Sequence, residues 1–194
     1  MTNNTTLAML LGQTAKADTA APLRVDLEKA RNAMAKAASY KIGDGRETLL
    51  EIEECVRQSQ YNDADRASIA KMLGDVVTGN GTKDSKAFAC RQLWIIGTPE
   101  ESLTLRAALQ NPELSDMARY ALQNMEGSGA DDVLMEAALL STDPKTQIGA
   151  INSLAMRKSM GALDAIKSLK KSKDKDVAEA AKHAIGRLKG KIVP

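Results

Sequence analysis

Apolar positions recur three and four residues apart through most of the chain, with charged positions between them. That spacing predicts amphipathic helices. Val25, Leu27, Ala30, Met34 and Ala38 share one side of a helix expected over 24–40. Leu49, Leu50, Ile52, Cys55 and Val56 form the apolar stripe of a second, over 46–60, with Glu47, Glu51 and Glu54 on its wet face. A third, opened by Asn62 or Asp63 and ending near Val77, turns Ala67, Ile69, Ala70, Leu73 and Val76 inward. No long run alternates apolar and polar positions with β-branched or aromatic residues, so strands are not expected. Gly43 and Gly45 break the first two helices apart, with Asp44 as a cap for the second. The stretch 78–84, with two glycines around Asn80, is the clearest internal break.

From 85 onward the pattern repeats. Leu93, Leu122, Leu154 and Ile185 occupy matching points in four similar segments, spaced 29, 32 and 31 residues apart. The interruptions at Asn111, Asp143 and Asp174 keep the same beat, 32 and 31 residues apart. A helical pattern with a period near 30 residues is the signature of stacked helical hairpins. Within it, helices are expected over 87–96, 98–110, 117–125, 132–140, 146–156, 162–170 and 176–188. Gly97 reads as a left-handed C-cap. Thr98, Pro99 and Glu101 read as cap, first helical position and capping-box partner of the next helix. One hairpin cannot bury its own stripe, so Leu105, Leu109, Leu134, Leu139, Leu163, Ile166 and Leu169 are expected between layers.

Composition agrees with an all-α chain. Aromatic residues make up 3% of the 194, with one Trp and one Phe, and small aliphatic side chains favour close helix packing. The net charge of +2 selects no partner class, but its distribution is uneven. Residues 157–191 hold eleven Lys or Arg against four acids, while the remainder holds sixteen against twenty-one. Cys55 and Cys90 both fall in helical patterns and read as buried thiols rather than a disulfide framework. No segment reaches the roughly 18 apolar residues that span a membrane. The first 22 residues carry an apolar run, 7–11, and an Ala15-Lys16-Ala17 triplet that imitates a cleavage site. No Lys or Arg precedes that short run, so the reading is a disordered or weakly helical tail on a cytoplasmic protein. Export is the alternative, should 1–17 act as a signal.

The beat carried by Ala89, Cys90, Leu93, Ile96, Gly97 and Pro99, then Leu105, Ala108, Leu109 and Pro112, resembles the HEAT-like repeat of bacterial proteins, including the phycobilisome-lyase type. Later copies supply Ala121, Leu122, Asp143, Pro144, Leu169, Ala181, Ile185 and Leu188. The resemblance covers roughly 85–190 and implies an α-solenoid, a superhelix of HEAT-like hairpins. The expected organisation is a tail over 1–22, a helical cap over 23–80 and repeats over 81–194. Repeats of this type serve many unrelated roles, so the resemblance speaks to fold and hardly to activity.

Candidate chemistry is sparse. His183, the one histidine, lies a helical turn from Glu179 and Arg187 and reads as part of a surface pair. One His and two distant cysteines match no metal-ligand spacing. Asp131-Asp132 and Glu53-Glu54 read as capping and solvated charges, and the Gly79-Asn80-Gly81 stretch as a turn rather than a phosphate loop. Trp94 and Tyr120 read as core packing, with a shared surface as the alternative.

The reading that follows is a non-catalytic protein-binding or scaffold module, without cofactor or metal, gripping a protein through second helices at Arg106, Gln110, Glu136, Lys167, Lys170 and Lys171. The first alternative is an accessory nucleic-acid binder using the basic end: Lys167, Lys170, Lys171, Lys173, Lys175, Lys182, Lys189 and Lys191. The second is a subunit resembling a bilin lyase, which would need a partner chain and a bilin.

Overall fold

The computed structural model describes residues 24–190. The expectations for the N-terminal tail, and the place of Lys191, lie outside them. The described residues form ten α-helices and no strand: α1 Leu27–Ala37, α2 Glu47–Ser59, α3 Asp63–Thr78, α4 Lys83–Ile96, α5 Glu101–Leu109, α6 Ser115–Asn124, α7 Ser128–Leu140, α8 Pro144–Met156, α9 Leu163–Leu169 and α10 Lys175–Leu188. A 3-10 turn, Met160–Ala162, leads into α9.

Local chemistry sets half of the helix starts, with a capping side chain at α1, α3, α4, α8 and α10. Asp26 accepts from the Lys29 N–H at 2.9 Å, Asn62 from Asp65 at 3.0 Å and Thr82 from Ser85 at 3.1 Å. The Asp143 carboxylate takes the Lys145 and Thr146 N–H groups, with Pro144 at the first helical position. Asp174 does the same for α10 through Asp176 and Val177. Each cap satisfies donors that the first turn leaves without a helical partner.

Two expected starts differ. The Asp44 carboxylate accepts from the Lys41 N–H within its own loop, at 2.8 Å, and α2 begins at Glu47 with no side-chain cap. Before α5, the Glu101 carboxylate does reach back to the Thr98 N–H at 3.0 Å, which is half of a capping box. The Thr98 hydroxyl, however, donates to Glu101 and Glu100 instead of accepting from the helix. Thr98 and Pro99 then form a tight turn, and α5 opens at Glu101.

The helices pack in two interleaved rows. In one row α2 contacts α4, α4 contacts α6, α6 contacts α8 and α8 contacts α10; in the other, α1, α3, α5, α7 and α9 contact in turn. The expected N-terminal cap joins these rows, since α1 packs on α2 and α3, and α3 on α4. The 38–45 loop is fastened to the start of α4: Thr82 N–H donates to the Ala38 carbonyl at 2.9 Å, and Ile42 N–H to Asp84 at 2.9 Å.

The core lies between the rows. Ile52, Ile69, Leu73, Leu93, Ile96, Leu105, Leu109, Leu122, Leu134, Ile151, Leu154 and Ile166 are its largest fully buried side chains. Of the residues expected between layers, Leu105, Leu109, Leu134 and Ile166 are buried and Leu169 packs against the core. Leu163 is only half-buried. Leu139, in the last turn of α7, is 42% exposed. Leu50 and Ala67 also face solvent.

Gly97 is not a left-handed cap. Its φ of −53° and ψ of 141° suit any residue. Glycine is required there by space: a Cβ would lie 2.5 Å from the Leu93 carbonyl oxygen and collide with the Met125 side chain.

Arginines close several helix ends. Arg66, on α3, donates to the Ile96 and Gly97 carbonyls at 3.1 and 3.3 Å. Arg157, following α8, donates to the Leu122 and Gln123 carbonyls in the last turn of α6 and to the Met125 and Gly127 carbonyls just past it, and pairs with Asp131 of α7 at 2.5 Å. The Ser159 hydroxyl donates to the same carboxylate at 2.6 Å. Carbonyls at a helix C-terminus lack intrahelical partners, and a charged donor supplies them more strongly than a neutral one.

Candidate functional site

The six residues expected to form a binding face do share the row of α5, α7 and α9. Arg106 lies on α5 with Gln110 just past its end, Glu136 on α7, Lys167 on α9, and Lys170 and Lys171 just past α9. The structure joins Arg106 to Glu136 across the α5–α7 contact at 2.7 Å. Lys167 pairs with Asp164 one turn back, also at 2.7 Å, and that bond holds the Asp164 carboxyl below the usual range. Charge at the middle of this face is therefore largely spent within it. Leu103, Leu139 and Leu140 are the large apolar residues exposed on the same two helices, α5 and α7.

The opposite row carries a more distinctive surface. Trp94 of α4 and Tyr120 of α6 stack with ring centroids 5.3 Å apart and planes 11° from parallel. They are 36% and 39% exposed, so they are not core residues. Ile95, beside Trp94, is 43% exposed. The Asn124 side chain donates to the Trp94 carbonyl at 2.9 Å and ties α6 to the last turn of α4. One turn before Trp94, the exposed Arg91 guanidinium sits over the Phe88 ring at 5.9 Å. The pair is thus fixed on two packed helices rather than carried on a loop, and its outer edges face water. The sequence held a signal for this. Tyr120 is one turn from Asp116 and Asn124, both exposed, whereas the buried stripe of α6 runs through Ala118, Ala121 and Leu122.

The grooves offer little enclosed chemistry. One of about 340 Å³ lies between α1 and α3, lined by Arg31, Met34, Ala35, Ala38, Met72 and Val76, and by the turn at Gly79–Gly81. Another, of about 370 Å³, lies between α3 and α5 beside Lys71, Asp75, Glu100 and Glu101. Hydrogen bonding from the Thr98 hydroxyl lowers the Glu100 carboxyl from its ordinary range, which keeps it ionised as a turn residue.

Among the described residues, no group of three or more His, Cys, Asp or Glu is placed to hold a metal ion, and no helix is long and apolar enough to cross a membrane. His183 and Glu179 approach to 3.2 Å on the surface of α10. Glu179 also pairs with Lys182, and that hydrogen bond is the main cause of its lowered carboxyl. Cys55 and Cys90 are buried free thiols. Burial pushes the Cys90 thiol up to about 12 and raises Cys55 as well.

The lysines of the basic end divide. Lys182 is paired, Lys189 lies at the far end of α10, and Lys167, Lys170, Lys171, Lys173 and Lys175 gather where α9 turns into α10. Neither the Arg66 clasp on the end of α4 nor the Arg157–Asp131 clasp on the end of α6 was legible from spacing. Asp131 read as one of the capping and solvated charges, yet it pairs with Arg157.

No family model matches the chain, and no curated protein matches it. Among solved structures, it is similar to the crystal structure of an engineered protein from the Northeast Structural Genomics Consortium. The two are 18% identical and superpose with a TM-score of 0.43 over 84% of this chain and 90% of that one. A likeness at that level carries no weight for either fold or function.

Proposed function

We propose that the chain is a non-catalytic protein-binding module, a superhelical stack of HEAT-like hairpins that holds its partner through one face. The repeated beat of Leu93, Leu122, Leu154 and Ile185, together with helix rows that contact in succession, supports the stacked reading.

The observation that carries the binding reading is the exposed Trp94–Tyr120 stack with Ile95 at its side. Tryptophan and tyrosine dominate the energetics of protein interfaces because each offers a large rigid area with few torsions to freeze. A stack held by packed helices loses little entropy on docking. The second-helix face of Arg106, Gln110, Glu136, Lys167, Lys170 and Lys171 is the other candidate. Its internal pairs make it the weaker anchor, since an ion pair already satisfied gains little from a new partner.

Partner recovery from an extract of the source cells tests both faces. Trp94→Ala with Tyr120→Ala is expected to abolish recovery while thermal melting stays near that of the parent. Arg106→Glu with Lys170→Glu and Lys171→Glu is expected to leave recovery mostly intact. Unchanged recovery in both variants would discard the two faces together.

A further inference from the structure

We propose that the turn joining α9 to α10 is a docking tip for the phosphate backbone of duplex nucleic acid, separate from the aromatic face. Residues 167–176 hold five lysines and two aspartates, and all five lysines are exposed. Neither aspartate sits opposite a lysine. Asp174 is turned onto the start of α10, where it accepts from the Asp176 and Val177 N–H groups at 2.9 and 3.0 Å. Asp176 makes no ion pair within 4 Å among the described residues, and neither do Lys170, Lys171, Lys173 and Lys175.

Several cations elsewhere are paired, as Arg24 with Asp65, Arg46 with Glu53, Lys71 with Asp75 and Arg106 with Glu136, and others that are not, such as Lys29, Lys36 and Lys41, are spread over residues 29–41. Four uncommitted ammonium groups within six residues make this tip different. The tip also fixes their spacing, because Asp174 and Ser172 hold the turn: the Asp174 N–H donates to the Ser172 hydroxyl at 3.2 Å.

The chemistry selects the ligand. Lysine acts on phosphate as a point charge, without the forked geometry that arginine uses to read a carboxylate or a base edge. Contacts of that kind hold a duplex without reading its sequence. Exposed aromatic residues, on which unpaired bases stack, are not part of residues 167–176. Large apolar side chains that would enter a lipid surface are not exposed there either.

Fluorescence anisotropy of a labelled duplex of arbitrary sequence, titrated with the full chain, tests the tip. Four phosphate contacts give a slope of log affinity against log salt of about −3.6, or a fall of about a hundredfold between about 50 mM and about 200 mM salt. Lys170→Glu with Lys173→Glu and Lys175→Glu is expected to weaken binding at low salt by more than about tenfold. The same charge change at the exposed Lys29, Lys36 and Lys41 is expected to leave it within about twofold. Circular dichroism melting checks that both variants remain folded, and Lys170→Gln with Lys173→Gln gives a milder loss in the same direction. Absence of binding at low salt overturns the proposal, as does equal weakening by the two triple variants. Preference for phosphatidylserine vesicles or poly-glutamate over the duplex also overturns it.

Discussion

Single side chains show where the hydrophobic pattern had force and where it lost it. Leu93, Leu105, Leu122 and Leu154 were marked by spacing and are fully buried. Leu122→Ala is expected to cost about 3 kcal/mol, from lost transfer energy and the cavity left behind. Leu50→Ala, at a site 54% exposed, is expected to change stability by less than about 0.5 kcal/mol. Urea titration of the two variants separates them. Leu50 was misread because it lies at the edge of the α2 stripe, about 100° round the helix from the buried Leu49, and spacing alone does not say how wide the buried face is. Gly97 teaches a different lesson: the residue was correctly singled out, but its reason is a neighbouring carbonyl and not its dihedral angles. Gly97→Ala is expected to destabilise by about 1–3 kcal/mol through overpacking. Nothing in the local pattern singles out Asp65, because its partner Arg24 is 41 positions away. The Arg24 guanidinium, then the Val25 N–H, hold its carboxyl below the ordinary value. A depressed carboxyl stabilises the fold above its unfolded pKa of about 4, and the contribution is lost as pH falls through the lower folded value. Melting temperatures of the parent and Asp65→Asn should therefore differ most near neutrality and converge as pH falls below the depressed folded value. A constant gap would remove the ionised pair as its cause. The Cys90 thiol, buried and raised to about 12, should resist thiol reagents until the protein unfolds.

At the scale of elements, the number and order of the helices from α1 to α10 were legible, and most ends fell within a few residues of expectation. Caps at Asn62, Asp143 and Asp174 explain that success, because a cap is written in one or two adjacent residues. The clasps are written in residues about thirty apart, as with Arg157 and the end of α6, and no local pattern reveals them. Arg157 has a side chain only 10% exposed and also meets Asp131. Arg157→Met leaves a carboxylate and several carbonyls without their donor. It is expected to cost about 3 kcal/mol or more, measured by chemical denaturation. A loss below about 1 kcal/mol would mean that water takes over those carbonyls without penalty. The two candidate surfaces were unequally legible for a related reason. Their residues could be assigned to helices, but whether Arg106 meets Glu136, or Trp94 meets Tyr120, depends on contacts between helices that a periodic pattern does not contain.

For the whole molecule, the strongest helix contacts join elements that are one or two apart in sequence. In the stack proposed above, stability would spread through neighbouring interfaces. Ala181→Asp, which places a charge at a fully buried position of α10, is expected to raise hydrogen exchange in α8, α9 and α10 while α1 to α3 keep their protection. Equal loss of protection along the whole chain would contradict successive packing. The chain's one tryptophan stands on the joint between α4 and α6, flat against a tyrosine from the next layer. Its emission is therefore an intrinsic gauge of that joint. Sliding or hinging of one layer on the next unstacks the rings and alters quenching without any added label, so the molecule's flexing in solution can be followed from its own light.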